Sequence, residues 1–242
     1  GILEWLSFLF VIGFILIHLF SKNMKFLRAV PRSRFLSIAG GISVAYVFLH
    51  LLPELGEFQE AVHKEFGAPG EGFLSNHIYL AAMAGLVMFY GLEQMVKNSK
   101  RKTAEGKSTA GVFWIHIASF AIYNGVIGYL MIREEFEGMV GMSLFFIALG
   151  VHFITNDKGL RAAHKGEYDR YGRWLLAAAI AAGWAIGWLT EVHELIIAFL
   201  MALIAGGIIL NVLKEELPEE RESSLGAFVA GLSVYSILLL FL

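Results

Sequence analysis

His152 and Asn156 stand four residues apart in the run Val151-His152-Phe153-Ile154-Thr155-Asn156-Asp157. Residues i and i+4 share one face of a helix, so the imidazole and the amide point the same way, with Thr155 beside them. A second stripe, His116, Phe120, Tyr123, Asn124 and Ile127, recurs at helical spacing in another apolar run. If the two stripes face each other, His152, Asn156 and Asn124 supply one imidazole nitrogen and two amide oxygens, a donor set for a cation. The set is neutral, whereas hard cations such as Mg2+ favour carboxylate charge. Asp157 is the nearest carboxylate, but it lies five residues after His152, about 140° further round a helix, and adjoins Lys158. It reads either as a fourth ligand or as a solvated helix-end acid.

His50 and Glu54 form another i, i+4 pair, suited to attracting a cation at the entrance of a pathway. Glu57, Glu60, His63, Glu65 and Glu71 extend the acidic patch. The plainer reading is a helix end followed by a solvated loop. His18, His77, His116 and His193 are scattered and read as interfacial or interhelical hydrogen-bonders. Lys214, Glu215 and Glu216 read as an interfacial charge cluster, with an exit role as the alternative. The chain has no cysteine, which excludes disulfides, thiolate metal sites and thiol nucleophiles.

These groups need elements to hold them. A 242-residue chain that is 57% hydrophobic, with a mean hydropathy of +0.65, has more apolar surface than one soluble core can cover. Its expected partner is the lipid bilayer, and the net charge of −2 gives no reason to expect nucleic acid. A bilayer-spanning helix takes about 20 mostly apolar residues. Eight such runs fall at 2–20, 35–56, 77–97, 111–132, 139–157, 173–191, 194–214 and 224–242, forming a single transmembrane domain. The first has Glu4 where a leader would be basic, so it reads as a helix rather than a signal peptide. The second and seventh are expected to end near prolines. Gly183 and Gly187 form a GxxxG, a close-packing signal. Lys and Arg are retained on the cytoplasmic side. Seventeen of the nineteen fall in the odd-numbered loops, which puts both termini outside, in the plasma (inner) membrane.

The tetrapeptide Ala-Gly-Gly-Ile occurs at 39–42 and again at 205–208, each followed by Leu-Pro-Glu, at 52–54 and 217–219. The second and seventh runs cross in opposite directions, so the pattern predicts an inverted repeat of helices 1–3 (about 2–97) and 6–8 (about 173–242). Helices 4 and 5 (about 111–157) lie between them.

The segments AGGISVAYVFLHLLPEL (39–55) and AGGIILNVLKEELPEE (205–220) resemble the second and seventh helices of the ZIP family of divalent metal transporters. The resemblance implies an all-α membrane protein of eight transmembrane helices in a 3+2+3 bundle with inverted repeats. It also implies a cation pathway enclosed by helices 2, 4, 5 and 7. The family's helix 4 and 5 motifs, of the form H-N-x-P-E-G, align with Tyr123-Asn124-Gly125-Val126-Ile127-Gly128 and His152-Phe153-Ile154-Thr155-Asn156-Asp157. Most positions differ: Tyr123 replaces a His, and Ile127 and Asn156 replace carboxylates. Asn124, His152, Asn156 and Asp157 are the expected metal residues, with His50 and Glu54 at the entrance. No resident cofactor is expected. The partners are a divalent cation, Zn2+ or a similar ion, and, as one option, a second copy of the chain.

The leading expectation is therefore a carrier, not an enzyme, that moves a divalent cation toward the cytoplasm by alternating access. One alternative keeps the fold but has lost transport and serves in binding or as a scaffold. Another is a haem-binding redox protein using intramembrane histidines, for which the sequence offers no depth-matched pair.

Overall fold

The computed structural model describes residues 1–24, 34–66, 77–106, 108–216 and 224–241. Among them there is no strand, and a helix lies on each of the eight apolar runs. The first run is α1 (Ile2–Phe20). The second is α2 (Arg34–Tyr46), a π-turn (Val47–Leu51) and α3 (Leu52–Phe66) in unbroken succession. Then come α4 (His77–Arg101), α5 (Ala110–Arg133), α6 (Gly138–His164), α7 (Arg173–Leu189), α8 (Glu194–Glu216) and α9 (Leu225–Leu240).

Seven of these helical stretches are long and apolar enough to cross a membrane, and α9 is a shorter apolar helix. Trp5, Met83, Val87, Ile122, Leu189 and Leu225 are among many large apolar side chains left exposed. In water such a surface would aggregate, and against lipid it costs nothing. The protein is a helical integral membrane protein.

The second helix does not end near Pro53, as its sequence suggests. Proline has no N–H to give the carbonyl four residues back, and its ring crowds that turn. Here the backbone widens into the π-turn just ahead of it, where the Leu52 N–H reaches back five residues to the Val47 carbonyl. The helix then continues to Phe66. The Leu217-Pro218-Glu219 segment lies outside the described residues, as does Glu71 of the acidic patch.

Three helix pairs make the most extensive contacts: α2 with α9, α4 with α8, and α5 with α7. In each, glycine lets two backbones touch. A Cβ on Gly41 would run into the Phe228 carbonyl and the Leu232 N–H, and one on Gly231 into the Ile38 carbonyl. Likewise Gly206 faces Ala82 and Leu86, and Gly85 faces Leu203. Gly128 faces Ile180 and Trp184, and Gly183 faces Gly125. The spacing is the same at all three crossings. It equates Gly41 with Gly206, one residue out of register with a direct alignment of the two tetrapeptides.

Candidate functional site

α5, α6 and α8 bring together a buried polar core. Tyr123 Oη, on α5, lies 2.7 Å from Nε2 of His152 on α6. The Asn156 amide, one turn further along α6, lies 3.2 Å from the same nitrogen. The Asn211 amide, on α8, lies 3.4 Å from His152 Nδ1. Tyr123 and His152 are buried, and the two amides are half-buried. The shared face of His152 and Asn156 is thus as the spacing predicted, with Tyr123 completing it.

On the side of the bundle where α4 ends, a cavity of about 470 Å³ reaches this cluster through Asn156 and Asn211. Its wall carries Glu93, Lys97, Lys100, His116 and Lys214. Lys214 Nζ pairs with Glu93 Oε2 at 2.8 Å, so the lysine of the expected interfacial cluster lines a cavity. His116 Nδ1 is 2.7 Å from His164 Nε2, whose other nitrogen is 2.6 Å from Ser108 Oγ.

On the opposite side, where α5 gives way to α6, a second cavity of about 260 Å³ is lined by Tyr46, His50, Glu54, Glu134 and Tyr235, among others. His50 Nε2 is 3.2 Å from Glu54 Oε2, and Glu134 lines the same cavity as Glu54. Burial and the adjoining Glu54 carboxyl push Glu134 well above the usual carboxylate range. Tyr46 lines this cavity and stacks on His50, with ring centres 5.2 Å apart.

Asn124 and Asp157 belong to a different group. His18, from α1, places Nε2 2.7 Å from Asn124 Oδ1 and Nδ1 2.8 Å from Asp157 Oδ2. The Asn124 amide nitrogen donates to the Phe120 carbonyl. Asp157 has no exposed surface, which corrects the solvated helix-end reading, and His18 is the interhelical hydrogen-bonder expected of it. Tyr123 and Asn124 are neighbours in sequence, about 100° apart on the helix, and so serve different partners.

Sequence reasoning missed Glu134, Asn211, Tyr46, Glu93 and His164. Asn211 was detectable as a lone amide in an apolar run. Glu134 looked like one of several acids in a short loop. Among the described residues, no three His, Asp or Glu side chains are arranged to hold a metal ion. The chemistry available at His152 is a small set of neutral donors, with one lysine-rich cavity reaching its two amides.

The fold and this buried polar core define the class, a helical membrane protein. No family model matches the chain, and no curated protein matches it in sequence.

Proposed function

We propose that the chain is a membrane carrier that passes a divalent metal cation toward the cytoplasm by alternating access, on a ZIP-like 3+2+3 bundle. One observation carries the reading: two polar cavities lie on opposite sides of the bundle, and one of them reaches Asn156 and Asn211, which bond His152. Tyr46 lines the one, and Asn156 and Asn211 line the other. Polar cavities on the two sides of a central polar group are what alternating access requires. The matched glycine crossings of α2 with α9 and α4 with α8 support the inverted repeat. The lysine and arginine distribution supports the orientation, with the acidic cavity outside.

In this reading the cation is drawn in by His50 and Glu54, now joined by Glu134, and passes His152, Asn156 and Asn211. The second reading, a binding or scaffold protein without transport, is favoured by the neutrality of that central set. The haem reading, which would pair His50 with His116 or His152, gains no support, because His50 pairs with Glu54, His116 bonds His164 and His152 bonds Tyr123.

Uptake of Zn2+, Mn2+, Fe2+ and Cd2+ into proteoliposomes decides between carrier and scaffold. A carrier gives uptake that is lost in His152→Ala and reduced in Asn156→Ala. Uptake no greater than that of empty liposomes under a working gradient would leave the scaffold reading.

A further inference from the structure

We propose that the cavity lined by α4, α5, α6 and α8 is an anion site that takes a phosphate group, held by His116 Nε2 together with the amines of Lys97 and Lys100. The proposal does not rest on the carrier reading.

The charge comes mostly from α4. Glu93, Lys97 and Lys100 stand at i, i+4 and i+7 on one helical face, and all three line the cavity. Lys214 reaches the same wall from α8 and pairs with Glu93 Oε2 at 2.8 Å, so that carboxylate is already engaged. Among the described residues, neither Lys97 nor Lys100 has an acidic partner. Lys97 is exposed and Lys100 half-buried, so both amines can be reached from solution. Two uncompensated amines in a cleft draw an anion.

His116 supplies the independent observation. Its side chain is 2% exposed and lines the cavity, yet Nε2 has no hydrogen-bond partner. Glu93 Oε1 lies 3.9 Å from that nitrogen, too far for a hydrogen bond. A buried polar group is costly to leave unpaired, so the space beside this nitrogen is built to be occupied. The ring is held by its other edge: Nδ1 is 2.7 Å from His164 Nε2, and His164 Nδ1 is 2.6 Å from Ser108 Oγ. When the Ser108 hydroxyl donates to His164 Nδ1, the Nε2–H of His164 donates to His116 Nδ1. The one hydrogen of a neutral His116 is then on Nε2, at the cavity. An anion there selects this order, because it needs a donor.

Donors on two helices, with Lys214 on a third, suit an acceptor that carries several oxygens, as a phosphate group does. A cavity of about 470 Å³ has room for a phosphate ester as well as for the ion. Two sources share this chemistry: a soluble phosphate ester, and the headgroup of an anionic lipid, which basic pockets between membrane helices accept.

Thermal unfolding of the purified protein at constant ionic strength reads binding without any transport. Glycerol 3-phosphate in detergent, or phosphatidylglycerol in place of phosphatidylcholine in nanodiscs, should raise the melting temperature, and chloride should not. Stabilisation by glycerol 3-phosphate assigns the soluble source, and stabilisation by phosphatidylglycerol alone assigns the lipid. In the double variant Lys97→Gln, Lys100→Gln the apparent affinity should fall by about tenfold or more. In Lys64→Gln, on α3, it should equal that of the wild type. Nitrogen NMR of the imidazoles separates this cavity from a surface patch of lysines. The His116 signal, assigned by its loss in His116→Gln, should move with the phosphate probe and not with chloride. No stabilisation by either probe overturns the proposal. So does stabilisation that the double lysine variant retains, or that leaves the His116 signal unmoved.

Discussion

The imidazole of His18 and the carboxylate of Asp157 meet at 2.8 Å, and neither side chain has any exposed surface. Because the other nitrogen of His18 bonds Asn124, this one ring ties α1 to both α5 and α6. The residues the motif offered as metal ligands therefore divide, His152 and Asn156 bonded to each other and Asn124 and Asp157 joined through His18 of α1.

Breaking this contact from one side strands buried polar groups. Asp157→Ala leaves His18 without its acid, and removing one partner of a buried pair costs about 3–5 kcal/mol. Thermal unfolding in detergent should register a large loss. His18→Leu combined with Asp157→Leu should lose less than the two single changes together. An Asp157→Ala protein that melts with the wild type would place Asp157 in solvent.

At the centre, Tyr123→Phe keeps the ring in the core and removes only the hydroxyl that meets His152 Nε2. A net hydrogen bond is worth about 0.5–1.5 kcal/mol, so cation uptake should change by roughly 2–12-fold while the fold is retained. His152→Ala should abolish uptake, because it removes the group on which Tyr123, Asn156 and Asn211 converge. Equal uptake in wild type and His152→Ala would move the path elsewhere.

For Glu134 the sign follows from linkage. Its carboxyl is raised by burial and by Glu54, so the folded protein keeps a proton that the unfolded chain releases near pH 4.3, the approximate value for a free Glu. Stability is then greatest below that value and falls as pH rises toward the folded-state pKa. Glu134→Gln should flatten this slope in melting curves taken across the range. A wild-type melting temperature that climbs over the same range would contradict the assignment.

The spans were legible because apolar runs long enough for a bilayer leave little choice of structure. Their ends were less so. The run holding His152 loses its apolar character at Asp157, yet α6 continues to His164 because Leu160, Ala163 and His164 are buried against neighbouring helices. That extension places Asp157 inside the protein. Which stripe faces which helix was also hidden, since one sequence gives faces but not partners. Asn124 and Tyr123 share a stripe and still point to different helices. Glu134 could not be singled out locally, because Glu54, which lines the same cavity, is eighty positions earlier in the chain.

The glycine crossings give the strictest test of the repeat. At Gly41 and Gly206 an added methyl would meet the backbone of the partner helix, at Phe228 and Leu232 in one case and Ala82 and Leu86 in the other. Backbone has no rotamer with which to yield, so the helices must separate and their packing is lost. Overpacking of this kind costs about 1–3 kcal/mol or more. Gly91 lies on α4 with nothing within 4 Å of its would-be Cβ. There alanine should be neutral or stabilising by up to about 1 kcal/mol, through helix propensity alone. Gly41→Ala and Gly206→Ala should thus lower the melting temperature by similar amounts, while Gly91→Ala does not. The similarity matters most, because equivalent positions of a duplicated crossing should carry equivalent strain. If Gly207→Ala matched Gly41→Ala instead, the repeat would follow the direct alignment of the tetrapeptides. The difference is physical: Gly207 faces the ring of Phe89, a side chain that has torsions with which to yield, and Gly206 faces a backbone that has none.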